Sequence, residues 1–198
     1  MFYKEDFRVK KNFYIKGFTL VEMLIAISIV AVLSGIVFAN FNNFRTFSNL
    51  DSDVEQLAAA LRQTQLWALS GQTRNGVRPD GGWGMHLDEC NTGNCKYLLF
   101  ADLYPAGAPN YTYDAGNDEV VSEGILDKLV EVKKVEPKVN SSLDIVFTSP
   151  YADIYLNGSQ TNTQGTITLR HTNSQNEGII TIDRISGKIE ITLNQESD

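Results

Sequence analysis

Apolar residues are concentrated in one uninterrupted segment near the beginning of the chain. Residues 18–39 contain a single charged side chain, Glu22, and are otherwise Ile, Val, Leu, Ala, Phe, Met, Gly, Ser and Thr. A helix of this length would measure about 33 Å, which is enough to cross the hydrocarbon core of a bilayer. The pattern therefore predicts a membrane-spanning helix over residues 18–39.

After residue 39 the pattern becomes that of an amphipathic helix. Apolar side chains recur at steps of three and four, which places them on one helical face; they are Phe47, Leu50, Val54, Leu57 and Leu61, with Phe44 and Ala68 extending the face. The other sides carry Asp51, Asp53, Glu55, Gln56, Arg62 and Gln63. No proline occurs between residues 18 and 70, and Gly71 suits a C-terminal cap. One helix of about 50 residues is predicted, with two helices broken near Ser34-Gly35 or residues 40–43 as the alternative.

From Gly71 onward the chain alternates between short apolar runs and turn residues. Strands are predicted at 83–87, 97–100, 129–135, 143–147, 153–156, 165–170, 178–183 and 188–193, the last two joined by a hairpin at 184–187. Residues 104–124 are rich in Pro, Gly, Asn and Asp and are predicted to form a long loop. This order of elements indicates an α+β fold, with a long N-terminal helix packed on an antiparallel β domain.

The charge distribution predicts how the chain sits in a membrane. Residues 1–17 carry five cations and two carboxylates, a net charge of +3, so the rest carries −10 of the total of −7. A basic flank before the first apolar segment stays in the cytoplasm, which places the acidic body on the other side. An acidic body also argues against general binding to a phosphate backbone.

Glu22 is the residue that the simplest interpretations of the apolar segment leave unexplained. A secretory signal peptide would need a shorter apolar core followed by a small-residue cleavage site. A plain single-pass anchor explains the length but neither Glu22 nor Gly17, and a charge inside a membrane span costs a few kcal/mol.

The segment KGFTLVEMLIAISIV at residues 16–30 resembles the N-terminal signature of type IV prepilins and type II secretion pseudopilins. The resemblance rests on Lys16, Gly17, Phe18, Thr19, Leu20, Glu22 and the apolar run behind them. It implies that a membrane peptidase cuts between Gly17 and Phe18 and methylates the new amine of Phe18. It also implies that Glu22 pairs with the terminal amine of a neighbouring subunit and sets axial register.

The pattern of residues divides the chain into four parts, and the resemblance assigns their roles. They are a basic leader at 1–17, a transmembrane and filament-core helix at 18–39, its amphipathic continuation at 40–70 and a β-rich head at 71–198. Segments of the head are similar to H-type pseudopilins of type II secretion and to FimT-like minor pilins; these are 66–70, 75–77, 82–87, 97–102 and 180–191. The absence of a cysteine after Cys95 and of a proline in the membrane half departs from major pilins.

The function implied is that of a structural subunit, not an enzyme, with no cofactor. Its partners would be prepilin peptidase, an inner-membrane assembly platform, other pilin or pseudopilin subunits and, before assembly, membrane lipid. The chain would cross the inner membrane once, with a cytoplasmic N-terminus and an extracytoplasmic head, and then enter a filament. The alternatives are a membrane-tethered binding module, or a DNA-uptake minor pilin that would use Arg74 and Arg78.

Candidate chemistry in the head is sparse. Cys90 and Cys95 are separated by four residues and form either one small disulfide loop or two free thiols. His86-x-Asp88-x-Cys90 has metal-ligand residue types, but the cysteine spacing is not that of a zinc knuckle. No nucleophile elbow, phosphate-binding loop or HExxH motif is present in the sequence.

Three further features have both a functional and a structural interpretation. Asp114, Asn117 and Asp118 offer oxygen ligands for calcium, although the spacing is that of an ordinary turn rather than a calcium loop. The tyrosines of the long loop are either a partner surface or loop aromatics; they are Tyr104, Tyr111 and Tyr113. His171 is predicted to lie at the surface.

Overall fold

The structure is a computed structural model that describes residues 17–91, 93–103 and 109–194, with no side-chain detail at 38–48. Residues 1–16 of the leader and Tyr104 lie outside the described residues, as do the side chains of Phe44 and Phe47. Contacts divide the chain into two compact units, Met1–Asn42 and Asn43–Asp198.

Helix α1 spans Leu20–Leu69, close to the predicted bounds. The C-terminus of α1 is capped at Gly71, as the sequence predicts. Gly71 has a φ of +63°, the left-handed conformation that favours glycine. The backbone N–H of Gln72 donates to the carbonyl of Trp67, and that of Gly71 donates to Ala68. These two bonds form the Schellman arrangement that satisfies the last carbonyls of a helix.

The second unit contains two antiparallel sheets. The strands are β1 Gly82–Asp88, β2 Lys96–Asp102, β3 Glu119–Ile125, β4 Val130–Glu136, β5 Ser142–Phe147, β6 Ile154–Leu156, β7 Gln164–His171, β8 Glu177–Asp183 and β9 Ile189–Asn194. The five-stranded sheet has the order β3-β2-β1-β5-β6, and the four-stranded sheet has the order β4-β7-β8-β9. The fold class is therefore α+β, in keeping with a pilin-like fold.

One hydrophobic core joins α1 to both sheets. The described members of the predicted apolar face of α1 are buried, and they pack with strand residues such as Trp83, Met85, Ile167 and Ile180. These members are Leu50, Val54, Leu57, Leu61 and Ala68. Gly178 of β8 gives Val54 room, because a Cβ there would lie 2.3 Å from a Val54 methyl group. The amphipathic pattern thus correctly identified which side of α1 is buried.

Asp53 is an exception on that helix, because it was predicted to lie on the polar side and is instead buried. Its Oδ2 accepts a hydrogen bond of 2.7 Å from the backbone N–H of Asp127, ahead of β4. Burial raises the pKa of Asp53, and the Asp127 N–H offsets part of that effect. The hydrogen bond from the Asp127 N–H explains why a carboxylate can be buried at this position.

The outer face of the five-stranded sheet is covered as well. Phe100 of β2 lies over Gly84 of β1, where a Cβ would come within 2.3 Å of its ring. The Tyr113 ring packs on Phe100 at 5.2 Å and on His86 at 4.8 Å. Residues 109–118, called the outer-face strap below, therefore cover this side of β1 and β2.

Strand β3 corrects the prediction of a loop over residues 104–124. Its side chains are mostly half-buried or exposed, since it forms an edge of the five-stranded sheet. An edge strand with few buried residues lacks the apolar alternation by which strands are recognised in a sequence. A β-bulge between Leu99 and Phe100 in its pairing with β2 adds to the irregularity.

The prediction that His171 lies at the surface is wrong, because only 1% of it is exposed. His171 ends β7 opposite Val130 of β4, and its Nδ1 accepts a hydrogen bond from the backbone N–H of Asn173. Burial lowers the pKa of His171, with a small opposing effect from Asp127. Because polar residues follow His171 in the sequence, no local pattern indicated that its side chain is buried.

Candidate processing and assembly site

The residues of the predicted cleavage site are exposed and non-helical. Gly17, Phe18 and Thr19 precede the first turn of α1, and no atom lies within 4 Å of a Cβ placed on Gly17. Phe18 is 77% exposed. A peptidase can take a non-helical segment into its active site without unwinding a helix, so this geometry leaves the Gly17–Phe18 bond accessible.

Thr19 caps the N-terminus of α1. Its Oγ1 accepts a hydrogen bond of 3.2 Å from the backbone N–H of Glu22, and its carbonyl accepts from Met23. Threonine at the cap and glutamate three residues later is the residue pattern of a capping box. Glu22 also lies in the first turn, where the helix dipole favours a negative charge. Local helix chemistry therefore explains part of why a carboxylate occupies this position.

The rest of the segment presents apolar surface in all directions. The side chains from Phe18 to Val37 are exposed apart from a half-buried Ser34. The stretch Leu20–Val37 is long and apolar enough to cross a membrane. So large an apolar surface requires a lipid or protein environment, which fits a membrane-anchored chain.

In the head, Cys90 and Cys95 form a disulfide. The loop that they close is fastened to β4, because Cys90 and Val132 exchange two backbone hydrogen bonds of 3.0 Å. The backbone N–H of Leu126 also donates to the carbonyl of Cys95. The disulfide loop therefore connects the segment between β1 and β2 to the other sheet.

We expect the double substitution Cys90→Ser/Cys95→Ser to lower the free energy of unfolding of the head by about 2 kcal/mol, because the bridge closes a short loop of the unfolded chain. Urea denaturation of the full chain in detergent, followed by the fluorescence of Trp67 and Trp83, would measure the change. Both tryptophans belong to the second compact unit, Asn43–Asp198, so the signal reports the unfolding of that unit. Equal stability of the double variant and the unchanged chain would contradict the expectation.

The His86-x-Asp88-x-Cys90 pattern does not assemble a metal site. Cys90 is in the disulfide, Nδ1 of His86 lies 2.6 Å from Oδ1 of Asp144, and Nε2 lies 3.4 Å from Oδ1 of Asp88. The two nitrogens thus face different carboxylates. Within residues 17–91, 93–103 and 109–194, no group of three or more His, Cys, Asp or Glu side chains could hold a metal ion.

The His86–Asp144 pair was missed in the sequence, although one signal was present. Asp144 stands inside the apolar strand β5, and a charged residue in such a strand requires a partner. Register places His86 directly opposite Asp144. Burial disfavours protonation of His86, but the hydrogen bond and charge of Asp144, together with Asp88, outweigh it and raise the pKa of His86.

The raised pKa of His86 predicts a pH-dependent contribution to stability. A histidine whose folded pKa exceeds its unfolded value near 6.5 stabilises the fold fully below that value and loses this contribution as pH rises through the folded pKa. We therefore expect the difference in unfolding free energy between the unchanged chain and His86→Gln to shrink between pH 6 and pH 8. Urea midpoints at the two pH values would test this, and a constant difference would contradict it. His171 contributes to both proteins and cancels.

The proposed calcium ligands have other roles in the structure. Oδ2 of Asp118 accepts a 2.7 Å hydrogen bond from the N–H of Asp114, and Oδ1 accepts from the N–H of Leu103. Burial raises the pKa of Asp118, with those N–H groups opposing it. Asp114 accepts from the side-chain amide of Asn110, and Asn117 is exposed. These hydrogen bonds hold the outer-face strap in its conformation. The structural interpretation, an ordinary turn, therefore explains why the carboxylates are present.

The described tyrosines of the strap also contact the head itself. The Tyr111 ring stacks on Tyr155 of β6 at 3.7 Å, and its backbone N–H donates to Oδ2 of Asp102. Tyr113 packs on Phe100 and His86. Their rings hold the strap against the sheet.

The residues named for DNA capture are not both available. Nε of Arg74 donates to Oε1 of Glu119 at 2.7 Å, and a second guanidinium nitrogen lies 2.6 Å from the same oxygen. Arg78 lies against Gly71 at the end of α1. Among the described cations of the head, seven of the lysines and arginines form ion pairs with carboxylates. This pairing disfavours a phosphate-binding surface.

Comparison with known families identifies the N-terminal segment. Residues 13–38 match the prokaryotic N-terminal methylation motif. The match includes Gly17, Phe18 and Glu22, and its residues 13–16 lie outside the described structure. The motif supports a prepilin-type substrate of prepilin peptidase, and with the apolar helix it fits a membrane-anchored structural subunit. No curated protein and no solved structure matches the chain.

Proposed function

We propose that the chain is the precursor of a minor pilin or pseudopilin. Prepilin peptidase cuts between Gly17 and Phe18 and methylates the amine of Phe18, and the mature subunit then enters a type IV pilus or a type II secretion pseudopilus. The observation that carries the proposal is the N-terminal geometry: an exposed, non-helical Gly17–Phe18 bond directly precedes a capped helix whose apolar surface is unpartnered.

The physical reason for assembly lies in that apolar surface and its single carboxylate. Leaving the membrane is favourable only if other apolar helices replace lipid around residues 18–37. Glu22 then enters an environment in which a charge needs a partner. The amine created at Phe18 supplies a cation, so cleavage provides the partner at the time of assembly. Other subunits of the filament, prepilin peptidase and an inner-membrane assembly platform are the partners that this route requires.

The head supports a subunit related to H-type pseudopilins and FimT-like minor pilins. The segment at 82–87 forms β1, that at 97–102 forms β2, and that at 180–191 covers the β8–β9 hairpin. An inner-membrane chain with a cytoplasmic leader and an extracytoplasmic head follows from the +3 charge of residues 1–17. A location outside the cytoplasm would also suit the Cys90–Cys95 disulfide.

The proposal is tested by the N-terminus of the protein extracted from membranes of cells that contain prepilin peptidase. Intact mass and terminal peptide sequencing would show a chain that begins at N-methylated Phe18. A chain that still begins at Met1 in those cells would refute processing. It would leave the membrane-tethered binding module as the remaining function.

A further inference from the structure

The outer face of the five-stranded sheet holds a short apolar row that the outer-face strap helps to keep out of water. Phe100 of β2 and Val146 of β5 lie on either side of Gly84, which pairs with both in the sheet. Both side chains are fully buried. Their sequence neighbours Leu99 and Ile145 belong to the main core, so Phe100 and Val146 point to the opposite face. The strap contacts this row through an aromatic ring that packs on Phe100 at 5.2 Å.

That ring, of Tyr113, also contacts His86, a half-buried histidine that lies between two carboxylates. Nδ1 of His86 lies 2.6 Å from Oδ1 of Asp144, and Nε2 lies 3.4 Å from Oδ1 of Asp88. A protonated imidazole carries an N–H on both nitrogens, whereas each neutral tautomer carries only one. Only the protonated ring can therefore donate toward both carboxylates. A neutral ring directs a lone pair at one of them.

The β2 side of His86 does not replace the charge that a neutral ring would lose. The residue opposite His86 on β2 is Leu98. The next residue on that face of β2 is Lys96, which forms an ion pair with Glu123 of β3. Among the described residues, His86 is the one cationic group that forms an ion pair with Asp144 or Asp88. The charge balance of this cluster therefore depends on the proton of His86.

Two interactions of the outer-face strap depend on the same proton. The Tyr113 ring lies 4.8 Å from the His86 ring, a distance at which a cation is attracted to an aromatic ring. Asp118 of the strap lies close enough to Asp144 to be repelled by it: burial raises the pKa of Asp118, and the charge of Asp144 adds to that effect. A positive charge on His86 offsets the charge of Asp144. Loss of the proton thus weakens an attraction and strengthens a repulsion.

From this geometry we propose that the outer-face strap is a proton-controlled cover, which lies on the sheet while His86 is protonated and detaches locally when His86 becomes neutral. Detachment exposes the apolar row of Phe100 and Val146 to another molecule. The rest of the head stays folded, because the main core with α1 lies on the other face of the sheet. The inference goes beyond the proposed function, since it requires neither cleavage nor assembly.

Amide hydrogen exchange of the full chain in detergent tests the inference. Samples are labelled at about pH 5.5 and about pH 8.5, on either side of the usual histidine pKa of about 6.5, and corrected for the intrinsic pH dependence of exchange. The N–H groups of Tyr111 and Asp114 report on the strap, because they donate to Asp102 and Asp118. We expect the strap to lose protection at least about threefold at the higher pH, while β7 and β8 keep theirs. Equal protection at both pH values, or an equal loss throughout the head, would overturn the proposal.

Three variants assign the response to its source. His86→Gln is neutral at both pH values, so its strap should show the same low protection at both. Asp88→Asn should reduce the response, because an amide N–H can donate to the neutral Nε2 of His86. Glu190→Gln removes an exposed carboxylate of β9, in the other sheet, and is the matched control that should keep the full response. An equal pH response in His86→Gln and in the unchanged chain would place the switch on another group and overturn the proposal.

Discussion

Glu22→Gln is expected to be processed normally and to assemble poorly. Glutamine at this position keeps the capping-box pattern with Thr19, so α1 should begin at the same residue. Only the negative charge is lost, and the ammonium of Phe18 would then be buried among apolar helices without a partner. An unpaired charge in that environment costs a few kcal/mol, so assembled protein should fall by at least about tenfold.

The measurement separates cleavage from assembly within one sample. Terminal sequencing would report the fraction of chains that begin at Phe18, and the protein sedimented from sheared cells would report assembly. Ser28→Ala is a suitable control, because Ser28 is a polar residue of the same exposed segment whose hydroxyl only donates to the carbonyl of Leu24. Assembly of Glu22→Gln at the level of this control would favour a tethered module over a filament subunit.

Gly17→Leu is expected to abolish cleavage, so that the chain retains Met1 and stays in the membrane. A branched side chain on the residue before the cut would occupy space next to the scissile bond that the peptidase requires for its own groups. The chain itself would not be disturbed, because nothing lies within 4 Å of a Cβ at Gly17. A loss of at least about a hundredfold in processed protein corresponds to a barrier increase of about 3 kcal/mol.

The matched control is Gly35→Leu. Gly35 lies in the apolar segment that follows the cleavage site and, like Gly17, has nothing within 4 Å of a Cβ. It therefore tests whether the loss of a glycine near the N-terminus, away from the cut, impairs processing. We expect cleavage of Gly35→Leu to equal that of the unchanged chain. Normal cleavage of Gly17→Leu would show that the peptidase does not require glycine at this site.

Regular patterns made the helix and most strands predictable from the sequence. The apolar repeat at Leu50, Val54 and Leu57 identifies one buried face because tertiary burial and helical period agree there. Strand β3 was missed because an edge strand needs little apolar alternation. His171 was misplaced because its burial depends on the pairing of β7 with β4, which no local pattern reveals.

The residues of the candidate site were likewise only partly predictable from the sequence. Gly17, Phe18 and Glu22 could be named because a short, contiguous segment carries the signature of residues 13–38. The His86–Asp144 pair joins strands 58 residues apart, so its geometry depends on the order of the sheet. The covering of the sheet by the outer-face strap likewise depends on contacts that are distant in the sequence, such as that between Tyr111 and Tyr155.

The cap formed by Thr19 has a consequence for what cleavage would change. The groups that begin α1 lie on the C-terminal side of the Gly17–Phe18 bond, so removal of the leader would leave the helix start in place. The cut would exchange a neutral peptide group for an ammonium near the positive end of the helix dipole. Proteolysis would thus change the charge at the N-terminus without changing the conformation of the helix start. The mature subunit would lose the net charge of +3 of the leader and would carry instead one ammonium at Phe18, which a carboxylate can neutralise.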